Sequence, residues 1–163
     1  MKKIALDATD IRILGVVQQN GPLSKSKLSE LVNLSPTPCW SRLKKLENAG
    51  LIRGYHADIA LELIGDLTRV IVTLSLESHR KSAFDRFENY IRQLDEVVEC
   101  IATGGGTDYV MKVITLNLAS FQNLMDTLLS AELGIDHYMT YIVIRDVKSS
   151  LPNLSKLIPN NDR

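Results

Sequence analysis

Reactive chemistry has little to work with in this sequence. Its 163 residues include two cysteines, three histidines and one tryptophan, and aromatics make up 6%. Cys39 and Cys100 lie far apart and in no CxxC pair, so neither a disulfide nor a zinc site is expected, which fits a reducing compartment. On its helix Cys39 falls on the core side and Cys100 falls inside a strand; both read as small buried apolar residues rather than nucleophiles. His56, His79 and His137 stand alone, none with a ligand partner four positions on, so no metal is expected. No serine sits in a GxSxG elbow, and acid pairs such as Asp95/Glu96 read as turn or surface residues. The sequence therefore predicts no catalytic residue, no cofactor and no enzyme. No apolar run approaches the ~18 residues of a membrane-spanning helix. Lys2 and Lys3 are followed by Asp7 and Asp10 rather than by an apolar stretch, so no signal peptide is expected and the location read from the sequence is cytoplasmic.

Net charge is absent too, with 19 Lys+Arg against 19 Asp+Glu, yet its distribution is uneven. Residues 1–65 hold nine basic and six acidic residues, the remainder ten and thirteen, and residues 21–56 six against two. A weakly basic front joined to an acidic back suggests two tasks in one chain, the first involving a polyanion. A 45% hydrophobic fraction is ordinary for a globular protein of one or two domains.

The front reads as three short helices. From Asp7 to Gln19, Ile11, Ile13, Leu14, Val16 and Val17 recur at helical spacing; Asp7 or Thr9 can cap the start, and Asn20-Gly21-Pro22 ends it. A second helix runs from about Ser24 to Val32 with Leu28, Leu31 and Val32 as its buried stripe. The third begins at Ser35 as N-cap, with Pro36 and Pro38 in the first turn, where missing N–H groups are tolerated. Cys39, Leu43 and Leu46 cluster on one side of it. Thr37, Ser41, Lys44 and Asn48 lie opposite, flanked by Trp40 and Lys45. Gly50 ends the helix, and the following LIRGYHA reads as extended with a hairpin of its own. Helix, short turn, helix with small polar and basic residues outward is the layout of a helix-turn-helix DNA reader, although a merely solvated amphipathic helix has the same pattern.

The back reads as strand–helix–strand–strand–helix–strand. The strand Leu67–Leu76 places Val70, Val72, Leu74 and Leu76 on one face at period two. A helix follows with Phe84, Phe87, Ile91 and Leu94 on one stripe. Strands Val97–Thr103 and Tyr109–Thr115 flank the loop Gly104-Gly105-Gly106-Thr107-Asp108. A helix from about Leu118 carries Phe121, Leu124, Met125 and Leu128, and a long last strand runs from Ile135 to Val147. This order is the split β-α-β, ferredoxin-like plan. It leaves Ile71, Thr73 and Ser75 on a sheet face that a monomer would expose, so a homodimer is expected, with the long last strand crossing to the second subunit. The tail after it is left without structure. The glycine run joins two strands and matches no phosphate-loop pattern. It reads either as a loose hairpin or as a ligand loop, in which backbone N–H groups and the Asp108 carboxylate hold a zwitterion.

Three segments in order, LDATDIRIL, LSPTPCWSRLKKLENAGLIRGY and GGGTDYVMKV, make residues 6 to 148 resemble the leucine-responsive/asparagine-regulator (Lrp/AsnC) family of transcription regulators. The resemblance implies an α+β protein: a winged helix-turn-helix domain over 1–56, a linker over 57–66, a ferredoxin-like βαββαβ sensing and oligomerisation domain over 67–148, and a tail over 149–163. It implies double-stranded DNA as a partner, an amino-acid-like effector, and a homodimer assembling further to a tetramer or octamer, with no membrane partner. The DNA-facing set would be Ser35, Thr37, Trp40, Ser41, Arg42, Lys44, Lys45 and Arg53. Within it Thr37, Trp40, Ser41 and Lys44 would approach bases, and Arg42, Lys45 and Arg53 would hold phosphates. The effector set would be Thr103, Gly104, Gly105, Gly106, Asp108 and Thr140. Where the family carries a charged or polar side chain in this loop, Gly105 and Gly106 leave none, so the pocket is expected to be roomier. The expected function is a sequence-specific DNA-binding regulator tuned by a small metabolite. The alternative is an architectural, nucleoid-associated DNA-binding protein without an effector.

Overall fold

The carboxylate of Asp7 accepts the N–H of Asp10 at 2.8 Å, and the carboxylate of Asp10 accepts the N–H of Asp7 at 3.3 Å. This reciprocal capping box starts helix α1 (Ala8–Asn20). The computed structural model describes residues 4–158; Lys2, Lys3 and residues 159–163 lie outside them. The chain divides into two units, one formed by residues up to 59 together with those from 148 onward, the other by residues 60–147.

In the first unit, α2 (Lys25–Val32) is capped by the Ser24 hydroxyl, which accepts the Lys27 N–H at 3.2 Å. Asn33 ends α2 in the left-handed conformation, with its own N–H on Glu30 O and the Leu34 N–H on Ser29 O. Helix α3 (Pro36–Asn48) ends with the same bond pattern: Gly50, at φ 71°, donates to Glu47 O and Leu51 donates to Leu46 O. Both are Schellman closures, which satisfy the last carbonyls of a helix. Ile13, Leu14, Val17, Leu28, Val32, Cys39, Leu43 and Leu46 form one buried core. One expectation fails here. Leu31 is 45% exposed, and the small Ser29 is buried in its stead, its hydroxyl donating to Ser26 O at 2.7 Å. Residues 51–60 hold neither helix nor ladder, so the hairpin expected after Gly50 does not form; Ile52 and Tyr55 pack on the helical core instead. The tail is not bare. Helix α6 (Leu154–Leu157) lays Leu154 against that same core.

The second unit is a four-stranded antiparallel sheet in the order β2-β3-β1-β4, from β1 (Thr68–Leu76), β2 (Val97–Ala102), β3 (Tyr109–Thr115) and β4 (Ile135–Ile142). Helix α4 (Lys81–Ile91) follows β1, and α5 (Leu118–Ser130) follows β3. Val70, Val72, Leu74 and Leu76 meet Tyr109, Met111 and Val113 beneath Phe87, Ile91, Phe121, Met125 and Leu128. This is the ferredoxin-like plan. Register places Ile71, Thr73, Val110, Ile101, Met139 and Tyr141 on the opposite face, where Ile101, Met139 and Tyr141 are about half exposed. The last strand is shorter than expected. It stops at Ile142, one further bond joins the Val143 N–H to Arg69 O, and Ile144 and Val147 then stand in solvent.

Candidate functional site

Helix α3 starts without a side-chain cap. Pro38 supplies part of the reason: an N-cap hydroxyl bonds the N–H of the second or third helical residue, and Pro38 at the third leaves only that of Thr37. The Ser35 hydroxyl and the exposed first turn therefore face outward, along with Thr37, Ser41 and Lys44. Trp40 is half-buried, its ring packed on the core cluster and covered by the Lys44 ammonium 5.1 Å from its centre. That ammonium also lies 2.6 Å from Glu47 Oε2, and the Tyr55 hydroxyl donates to Glu47 Oε1 at 3.2 Å. Burial, with Glu47 alongside, raises the Tyr55 phenol above its usual range. Lys45 and Arg53 are exposed and form no ion pair among the described residues. Arg42 is engaged differently: its Nη1 reaches Asp7 at 2.6 Å and Asp10 at 2.8 Å. Of the eight residues read as DNA-facing, six therefore lie open, with Lys44 partly neutralised, while Trp40 and Arg42 make contacts within the unit.

In the second unit the glycine loop hangs from a dense set of bonds. The Thr103 N–H donates to Asp108 O at 2.8 Å, and the Thr103 hydroxyl to Thr107 O at 2.6 Å. Leu74 O accepts both the Thr107 hydroxyl at 2.7 Å and the Asp108 N–H at 3.0 Å. Asp108 Oδ2 accepts the Leu76 N–H at 2.8 Å, and His79 Nε2 lies 3.2 Å from the same carboxylate. A side chain at Gly104, Gly105 or Gly106 would meet nothing within 4 Å, so the loop tip stands in open space.

Behind the loop, a cleft of about 340 Å³ is lined by Lys81, Phe84, Glu88, Thr103, Asp108 and Tyr109, among others. Phe84 stands edge-on to Tyr109 at 6.1 Å and stacks with His79 at 6.0 Å. Tyr109 donates its hydroxyl to Glu88 at 3.0 Å, and burial beside Glu88 pushes its ionisation far up. The cleft thus offers aromatic walls and carboxylates, a combination that suits an ammonium group attached to an apolar body. Thr103 and Asp108 belong to it; the three glycines do not line it. Thr140 pairs with Val72 on β4, on the far side of β1 from β3, so a single chain does not bring it to Asp108. Lys81, Glu88 and His79 were not foreseen, and Phe84 was read only as core. The usable signal was that Phe84 and Glu88, four apart on α4, share the helix face turned toward β3.

Residues 69–152 match the Lrp/AsnC ligand binding domain, and residues 6–53 match a winged helix-turn-helix DNA-binding domain. The chain belongs to the Lrp/AsnC family. It is 40% identical over 150 residues to the transcriptional regulatory protein DoeX of Halomonas elongata, covering 92% of this chain and 95% of that protein. It is 32% identical over 145 residues to the leucine-responsive regulatory protein of Escherichia coli K12, covering 89% and 88%. A transcriptional regulator of Neisseria meningitidis, solved as a complex with L-Met, superposes with a TM-score of 0.84 at 35% identity, over 94% of this chain and all of the other. In this Lrp/AsnC regulator the first unit is accordingly the DNA-binding domain and the second the ligand-binding domain.

Proposed function

We propose that this regulator senses an amino acid with an apolar side chain in the cleft beside Asp108, and that the ligand alters how paired α3 helices meet DNA. The observation that carries the reading is the cleft itself: a fixed carboxylate at Asp108 and aromatic walls from Phe84 and Tyr109, with Thr103 at the start of the glycine loop on its rim. The L-Met complex of the Neisseria relative supports the ligand class. Thr140 reaches such a ligand only from a second copy of the chain. The half-apolar sheet face around Ile71, Met139 and Tyr141 gives that copy a place to bind. A homodimer is the proposed unit, with tetramers or octamers built from it.

On DNA, Thr37, Ser41 and Lys44 approach base edges, and Ser35, Lys45 and Arg53 contact phosphates. Two copies of α3 related by a dimer axis call for a pseudo-palindromic site.

Thermal melting against a panel of amino acids tests the effector reading. A ligand that binds only the folded state raises the midpoint, by about 2.7 kcal/mol of stabilisation at a hundred times its dissociation constant. Asp108→Asn keeps an acceptor for the Leu76 N–H while removing the charge. We expect a selective shift with an apolar amino acid that this variant abolishes. No shift with any compound, beside intact DNA binding, would favour the architectural alternative.

A further inference from the structure

Arg42 is the arginine of α3, and a basic residue on a recognition helix invites assignment to a DNA phosphate. Its surroundings argue otherwise. Nη1 bridges Asp7 Oδ2 at 2.6 Å and Asp10 Oδ1 at 2.8 Å, and those carboxylates already close the capping box at the start of α1. Three side chains, 32 and 35 positions apart in sequence, thus form one hydrogen-bonded ring. The Asp10 side chain is 10% exposed and that of Arg42 39%. The trio carries a net charge of −1, so swinging it toward DNA would bring two carboxylates to a polyanion for one guanidinium. The apolar stripe Cys39, Leu43 and Leu46 holds α3 in the core, but apolar contact is non-directional and resists rotation about the helix axis weakly. The ring from Arg42 to the capped end of α1 is directional.

We propose that Arg42 is a positioning residue for DNA reading: by pinning α3 to the Asp7/Asp10 cap of α1 it fixes the rotation at which Thr37, Ser41 and Lys44 meet the bases, and it does not neutralise a phosphate. The lowered Asp7 pKa, caused first by the Asp10 N–H and then by Arg42, is consistent with a persistent ring. The proposal rests on α3 being the element that meets DNA.

The two roles predict opposite signs for one variant. Wild-type protein is used to select a duplex from a random pool. Its affinity, and that for an unrelated duplex, is then followed across salt concentration for Arg42→Gln, Asp10→Asn, Arg42→Lys and Lys45→Gln, with melting curves recorded for each. At N3 of the capping box Asn keeps a side-chain oxygen to accept the Asp7 N–H, so Asp10→Asn preserves the fold if Arg42→Gln does not. In the positioning role, Arg42→Gln and Asp10→Asn both weaken the selected duplex by about tenfold, the loss of roughly one base contact. Their salt slope and their affinity for the unrelated duplex stay at wild-type values, and Arg42→Lys recovers part of the loss. A phosphate role reverses this. Arg42→Gln would flatten the slope by about 0.9 per contact and weaken both duplexes, while Asp10→Asn, one negative charge fewer near DNA, would tighten binding; either result overturns the proposal. Lys45→Gln is expected to flatten the slope. If Lys45→Gln, Arg42→Gln and Asp10→Asn all leave binding unchanged, α3 is not the element on DNA and both readings fall.

Discussion

Gly50 closes α3 at φ 71°, a backbone conformation that is disfavoured for residues with a Cβ. A Cβ there meets nothing within 4 Å, so the effect of a substitution is conformational alone. Gly50→Ala is expected to destabilise the helical unit by about 1 kcal/mol, a left-handed penalty partly offset by a stiffer unfolded chain, seen as a lower melting midpoint in circular dichroism. Asn33 occupies the equivalent position on α2, where its short polar side chain tolerates the same geometry. Of the two thiols read as buried, Cys100 is only partly so. Cys39 is fully buried, and burial raises the Cys100 thiol to about 11, so neither offers a thiolate at neutral pH.

Between elements, the ring joining α1 to α3 carries a pH dependence whose sign is set by Asp7. Its pKa is depressed in the folded protein, so its contribution is fully present above the ordinary carboxylate value near ~3.9 and is lost as pH falls through the folded value. Half-exposure of the Asp7 side chain keeps the effect modest. Melting midpoints of wild type and Asp7→Asn should therefore differ between pH 5 and 7 and converge as pH falls below the ordinary carboxylate range; a gap that widens in acid would contradict this. The ring also marks what a sequence can tell. Val70, Val72, Leu74 and Leu76 were readable because the strand period of two puts them on one face, and Cys39, Leu43 and Leu46 because the helical period does the same. Asp7 was readable as a cap, and Arg42 as a phosphate contact only through the family resemblance, but nothing local links positions 35 apart. Leu31 misled because residue type stood in for orientation. The turn LSKL was invisible because four residues carry no period, and the Ile144 and Val147 stretch looked like strand because alternation continues after the ladder partners run out.

For the whole molecule, the uncovered face of the sheet is the feature on which the proposed pairing rests. A charge on that face should break the proposed pairing. Met139→Lys sits on the face away from the core, so the fold should survive while light scattering reports a lower mass. DNA affinity should fall about as far as the loss of one of two recognition helices requires, on the order of a hundredfold or more. A dimer of unchanged mass would place the interface elsewhere. The cleft beside Asp108 was half legible at this scale: its loop was foreseen, whereas the walls from α4 depend on how the helix lies across β3.

Leu154 has a consequence for how the protein is made. It seats on the core of α1, α2 and α3, so the DNA-reading unit is assembled from segments translated before and after the whole ligand-binding sheet. At about 5–20 residues per second, the first three helices wait on the order of 5–20 s for the side chain that completes their packing. By then every strand of the ligand-binding sheet has been synthesised. A chain stopped short of Leu154 therefore carries a reading head with one seat empty.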